Sequence, residues 1–261
     1  IQLDRDIFNL FEKQPPHLQF TTAEERRGEA WLKAQGIKGK FVCFNVRDSA
    51  FFTNRPDLAF HDHRDSDVET YIPAMVELAN RGYWVIRMGA KVKKPLPIKH
   101  SRILDYAYNG SRSEFMDIYL GAKCEFAVST GSGWDALPYI FRRPVCYVNF
   151  VPVEYLFTFT KSVAIWKHHW KDGKRMTLDE MWASGCGNFM QSEHFKSAGI
   201  TLVDNTWEEI RDTVVEMVKP STEDQAWFWD KFPRAFTPYN RQPIHGEIRM
   251  RIGSKFLESY R

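Results

Sequence analysis

Two glycines alternate with hydroxyl side chains in Ser129-Thr130-Gly131-Ser132-Gly133. Glycine lets a backbone turn tightly and approach a ligand closely. The hydroxyls and N–H groups of such a loop can point outward, and a helix that follows turns its positive end on the same spot. The chemistry expected there is that of a phosphate cradle. The pattern is neither G-x-G-x-x-G nor a Walker loop, so it implies neither NAD nor ATP. The alternative is a plain strand–helix turn capped by serine.

Arg47 and Arg87 each end an apolar run, and Gly89 follows the second. A buried arginine must find an anion or solvent, because an unpaired buried charge is costly. Two guanidinium forks beside a helix end would clamp a diphosphate. The alternative is a structural ion pair, such as Arg47 with Asp48 or Asp65. His61-Asp62-His63-Arg64-Asp65 has the look of a metal cluster. A His-x-His pair needs further ligands from later strand ends, and residues 87–91, 129–131 and 149–152 offer no such set. Adjacent His168-His169 suit one ion poorly. No metal is therefore expected. Asp48, His63 and Asp65 are instead the candidates for acid–base work, with Arg64 beside them.

These residues need elements to hold them. A short helix is expected within residues 1–20, ended by Pro15-Pro16. A capping box at Thr21 or Thr22 opens a second that Gly36 stops. Phe41–Val46 reads as a buried parallel strand. Asp67 caps a helix that Gly82 ends, and Tyr83–Met88 is the next strand. Further strands are expected at 103–106, 124–128, 144–149 and 201–203, and helices at 114–120, 134–141 and 206–218. Residues 150–195 are rich in aromatics and yield no assignment; Tyr155–Trp170 is either core or a lobe facing an acceptor. Residues 221–261 read as two helices around a loop at Pro238–Pro243.

Strands alternating with helices argue for βαβ units. About five or six strands are too few for a barrel, which favours an α/β fold with an open, doubly wound, Rossmann-like parallel sheet. Its ligand-binding loops then follow strand ends: 47–49, 87–89, 129–133 and 149–152. The expected division is an N-terminal helical segment (1–39), a Rossmann-like domain (40–220) and C-terminal helices packing back (221–261).

Composition narrows the function classes. The 261 residues are 43% hydrophobic and 26% charged, which excludes a disordered chain. A net charge of +3 is too mild for a nucleic-acid binder. Cys43, Cys124, Cys146 and Cys186 form no C-x-x-C pair and read as buried free thiols of a reducing, cytoplasmic compartment. No apolar run reaches the ~18 residues of a membrane span. The basic run Lys91, Lys93, Lys94, Lys99, His100, Arg102 is either a solvated loop or a contact for an anionic partner, an anionic lipid headgroup at the inner membrane face or a sugar-acid acceptor. No signal-peptide pattern opens the sequence. It begins Ile1-Gln2-Leu3-Asp4 without Met, the expectation for a fragment or a chain that has lost its N-terminal part.

The segments His63–Ala74, Gly82–Gly89 and Cys124–Trp134, with Val46-Arg47-Asp48-Ser49, resemble a family of bacterial glycosyltransferases found in surface-polysaccharide gene clusters. The resemblance covers roughly residues 40–155. More distantly, the layout is similar to the donor-binding half of GT-B glycosyltransferases, in the fucosyltransferase-like branch. Arg47 sits where that branch places an arginine on the donor diphosphate, although Arg47-Asp48 replaces its double arginine. What the resemblance implies is sugar transfer from a nucleotide-diphosphate donor to a hydroxyl of a glycan or lipid-linked acceptor, without a metal or other cofactor. Arg47, Arg87, Gly89 and Ser129, Thr130, Gly131, Ser132, Gly133 would stabilise the departing diphosphate. Asp48, His63 and Asp65 would be candidates for the base. The alternatives are a non-catalytic nucleotide-sugar-binding lobe and a metal-dependent hydrolase using His61 and His63. A pyruvyl transferase on a similar scaffold is a further one.

Overall fold

The computed structural model describes residues 6–52, 56–233 and 246–261. Helix α1 (Leu10–Lys13) is a single turn before Pro15-Pro16. In α2 (Thr22–Ala34) the Thr21 hydroxyl accepts the Glu24 N–H while the Glu24 carboxylate accepts the Thr21 N–H, a complete capping box. The apolar run after it is β1 (Phe41–Asn45), buried throughout. Two 3-10 stretches, Ser49–Phe52 and Pro56–Arg64, lead to Asp67. Asp67 caps a 3-10 turn that continues as α3 (Ile72–Asn80). Strands β2 (Trp84–Arg87) and β3 (Ile103–Leu104) follow.

Helix α4 (Glu114–Lys123) runs through Gly121, where an end was expected. That glycine is a packing device: a Cβ there would lie 3.0 Å from the Leu137 Cβ and 3.3 Å from the Trp134 ring. Then come β4 (Ala127–Ser129), a 3-10 turn at Gly133–Asp135, α5 (Ala136–Ile140) and β5 (Val145–Phe150). The unassigned segment holds β6 (Val163–Trp166), β7 (His168–Lys171), β8 (Lys174–Arg175), α6 (Leu178–Ser184) and α7 (Ser192–Ser197). The chain closes with β9 (Ile200–Val203), α8 (Trp207–Glu216), α9 (Ala226–Lys231), β10 (Arg251–Ile252) and α10 (Ser254–Glu258).

Seven strands form one parallel sheet in the order β3-β2-β1-β4-β5-β6-β10. The first six follow the order of a doubly wound, Rossmann-like sheet, which reverses direction between β1 and β4. The strand expected at 201–203 is not part of it. That segment, β9, pairs antiparallel with β7 in a separate sheet of order β8-β7-β9. Residues 221–261 supply a strand, β10, as well as helices, and their expected loop at Pro238–Pro243 lies outside the described residues.

The core lies on both faces of the sheet. Val42, Cys43, Phe44, Val85, Ile86, Ala127 and Val128 have no exposed surface. Ile210 and Val214 of α8 are buried as well. The Trp166 ring stacks on Phe228 at 5.6 Å and meets Phe256 edge-on at 4.9 Å. All four cysteines are free and buried. Among the described residues, no helix is long and apolar enough to cross a membrane.

Candidate functional site

Where neighbouring strands β1 and β4 send their connections to opposite sides, a crevice opens at their carboxyl ends. Register fixes its floor: Asn45 pairs with Ser129, and Phe44 with Arg87 on the other side. Asn45 is the polar break in β1, and its side-chain amide donates to the Ser132 hydroxyl at 2.7 Å. The Arg47 N–H donates to the Thr130 hydroxyl at 3.2 Å. The loops after β1 and β4 are thus tied together at the switch point.

A cleft of about 400 Å³ fills this crevice. Arg47, Asp48, Gly89, Ser132 and Gly133 line it, five of the residues singled out from sequence. Lys91, Asp117 and Trp134 complete a wall with cationic, anionic and aromatic parts. A second cleft of about 430 Å³ lies on the β2 side and shares Asp48. Asp65 and Arg87 line that one, with Lys93 and Lys94 from the basic run.

Both arginines already have carboxylate partners, as the ion-pair alternative anticipated. Arg47 Nε lies 3.0 Å from Asp65, with both side chains largely buried. Arg87 is 1% exposed; it donates to the Lys94 carbonyl at 2.7 Å and faces Asp105 at 3.3 Å. The two guanidiniums therefore do not form one diphosphate clamp: Arg47 borders the first cleft and Arg87 the second. Burial pushes the Asp65 carboxyl above the usual carboxylate range, and the Arg47 charge pulls it back. Both Asp48 oxygens accept backbone N–H groups, from Ala50 at 2.8 Å and Lys93 at 3.1 Å.

The Ser-Thr-Gly-Ser-Gly loop is not an empty cradle. Gly131 N–H donates to the Ser129 hydroxyl at 3.2 Å, Ser132 N–H to the Asp135 carboxylate at 2.7 Å, and Trp134 N–H to the Ser132 hydroxyl at 3.2 Å. Ser129 and Thr130 are fully buried behind the cleft. The expected helix at 134–141 is a 3-10 turn and five α-helical residues, because the chain leaves it through Arg142 at φ 61°. So short a helix carries little of a helix dipole. The two glycines differ. Gly131 has φ +84°, and a Cβ there would come within 2.8 Å of the Phe150 ring; a Cβ on Gly133 would meet nothing within 4 Å. Gly133 alone is an open approach.

Asp135 and Arg64 went unrecognised as parts of this loop. Arg64 donates to the Gly131 carbonyl, so the segment after β1 pins the loop after β4. Asp135 is buried, and burial pushes its pKa up to about 6 against the hydrogen bonds and the Arg64 charge that lower it. The sequence signal for Asp135 was its spacing from Ser132, a capping box formed in the structure.

His63 lies elsewhere. Its Nδ1 is 3.2 Å from the Ser192 hydroxyl and its ring packs on Phe195, both from α7. Burial, then the Arg64 charge, lowers its pKa to about 4. It lines an outer groove with Phe195 and Leu202, a groove that neither Asp48 nor Asp65 lines. His61 stands beside it with ring centroids 6.3 Å apart. Among the described residues, no three His, Cys, Asp or Glu side chains gather to hold a metal.

Behind the second cleft lies a polar network. Asn149, at φ 54°, donates from its amide to Ser66 at 2.8 Å and Tyr71 at 3.1 Å, and exchanges two hydrogen bonds with Asn205. Ser66 donates to Asp204 at 3.1 Å. The buried Lys167 ammonium joins the Asp65 carbonyl at 2.6 Å to Asp204 at 2.8 Å. Lys167 sits at the break between β6 and β7, in the segment that sequence patterning left unassigned. No protein-family model matches this chain, and neither any curated protein nor any solved structure matches it.

Proposed function

We propose that this chain is a glycosyltransferase whose Rossmann-like sheet acts as a GT-B-type donor domain. The nucleotide-diphosphate sugar sits in the switch-point cleft. One observation carries the reading: Arg47, Asp48, Gly89, Ser132 and Gly133, from three separate loops, converge on one cleft at the β1/β4 reversal. Ligands of open α/β sheets bind at that point. The chemical class of the donor and the transfer reaction rest on the family resemblance of residues 40–155.

Each side chain then has a task. Trp134 offers a flat face to a base or sugar ring. Arg47 and Lys91 bring positive charge to the diphosphate, which gains charge as the sugar leaves. A guanidinium fork held by the Asp65 carboxylate is already oriented for an anion. Gly133 lets the donor approach the loop backbone. Asp65, next to Arg47 and raised in pKa by its burial, is the base favoured for the acceptor hydroxyl. Gly131, Ser129 and Thr130 hold the loop rather than touch the ligand.

A thermal-shift panel of UDP, GDP, CMP and their sugars tests the reading. A ligand at 100 times its Kd should add about 2.7 kcal/mol of stability. If no nucleotide raises the melting temperature, the donor assignment fails.

A further inference from the structure

We infer that the second cleft is the acceptor subsite, and that it takes a many-hydroxyl sugar residue rather than an apolar or lipid alcohol. The inference rests on the donor reading above for the reaction, although the binding it claims can be measured without donor.

The cleft sits against the donor cleft, with Asp48 on the wall between them. Its lining sets the carboxylates of Asp48, Asp65, Asp67 and Asp204 against the cations of Arg87, Lys93 and Lys94. Val68 is its one aliphatic side chain. An alkyl chain would take these charged groups out of water and offer them no hydrogen bond in return, which is costly. Sugar hydroxyls both donate and accept, so they can meet carboxylates and cations on the same wall. Four carboxylates facing three cations leave little net charge for an ionic ligand to answer.

Arg87 lines this cleft, where it donates to the Lys94 carbonyl and faces Asp105, so it belongs to the wall of the second cleft and not to the donor diphosphate. The Lys167–Asp204 pair and the Ser66–Asn149 contact hold the back wall rigid.

The step balances. The acceptor oxygen forms a bond to the anomeric carbon, and the bond from that carbon to the diphosphate oxygen breaks. The hydroxyl proton passes to the Asp65 carboxylate, and the nucleoside diphosphate leaves with the bonding pair.

The test is an amide NMR titration of the full chain with methyl glycosides of glucose, galactose and N-acetylglucosamine, and separately with 1-octanol. Nucleotide is omitted first and then added. At least one glycoside should shift the amides of Ser66, Asp67, Lys94 or Asp204, and octanol should not. Lys94→Ala and Asp204→Asn should each weaken that glycoside about tenfold while leaving nucleotide affinity unchanged. Glycosides that shift none of these amides, or octanol shifting them instead, overturn the acceptor assignment. A nucleotide that still binds in that case leaves the donor reading standing. A glycoside that binds while no nucleotide does overturns the donor reading but not the subsite.

Discussion

The two ends of the sheet carry clefts of similar size but different chemistry. At the carboxyl end, Arg47 pairs with Asp65 and Arg87 faces Asp105. At the amino end, a cleft of about 510 Å³ is also rich in cations, with Arg142, Arg143 and Arg249 on its wall. There the guanidiniums are bound mainly to the fold. Arg142 donates to the carbonyls of Gln14, Pro15, Tyr139 and Ile140, and its guanidinium lies 4.3 Å from the Phe11 ring. Arg143 donates to the Ala122 carbonyl at 2.8 Å, and Arg249 pairs with Glu12 at 2.7 Å. Cation count does not mark a site. The partners differ residue by residue: Arg142 and Arg143 are stapled by backbone carbonyls and Arg47 pairs with a carboxylate, while Arg249 also pairs with one and Arg87 also donates to the Lys94 carbonyl.

The comparison can be broken first at the loop glycines. Gly131→Ala should cost about 2–5 kcal/mol, the sum of a left-handed backbone penalty and overpacking against Phe150. Gly133→Ala should cost under about 1 kcal/mol, with open space and no positive φ at that residue. Gly133→Asp should fold equally well and lose nucleotide affinity, because it puts a carboxylate in the proposed donor cleft. Urea melts with calorimetric titration separate these outcomes; equal melts for the two alanine variants would refute the distinction.

The arginines come next. Arg47→Ala should weaken nucleotide binding by about 1.5–3 kcal/mol, or ten- to hundredfold. Arg142→Ala should leave that affinity unchanged and lower stability by about 1 kcal/mol, through the part-buried carbonyls it deserts. Nucleotide affinity that falls with Arg142 and not with Arg47 would place the ligand at the other end of the sheet.

The smallest effect is in pH. His63 and His169 both have pKa values lowered to about 4, mainly by burial. Unfolded histidine titrates near ~6.5, so the stability they contribute is present above that pH and lost as pH falls toward 4. Asp135 runs the other way. Its pKa is raised to about 6, so folding favours its neutral form, and stability falls as pH rises through the carboxylate range to about 6. These two histidines contribute a loss of stability on acidification, which Asp135 opposes. His63→Gln should flatten that dependence, and Asp135→Asn should steepen it, each by at most about one proton. Denaturant midpoints between pH 4 and 7 check both signs.

Local grammar made part of this legible. The Thr21/Glu24 box and the Asp67 cap are short-range patterns that the structure forms as read, and the helix expected from 206 opens on a box of the same kind, Thr206 with Glu209. The apolar runs of β1, β2 and β5 are likewise visible because parallel strands are buried on both faces. The missed elements depend on distant partners. β6 and β7 are separated by one residue, Lys167, and belong to different sheets, which no periodicity reports. The short helix α5 could not be foreseen from a pattern that ignores the left-handed turn at Arg142. At the site, sequence pointed to the right loops but not to the sides their residues face. Ser129 and Thr130 are buried, and His63 turns toward Ser192. Those orientations are set by contacts across gaps of 83 and 129 positions, as in the Arg47–Thr130 and His63–Ser192 hydrogen bonds.

The outermost strands of the main sheet, β3 and β10, are each two residues long. A sheet with such an apolar interior would otherwise present a long row of unpaired amides to other copies of the chain. Truncated borders give an incoming strand only a few groups to pair with, too few to template growth. The sheet thus terminates itself, and protection from aggregation is written into the lengths of its border strands.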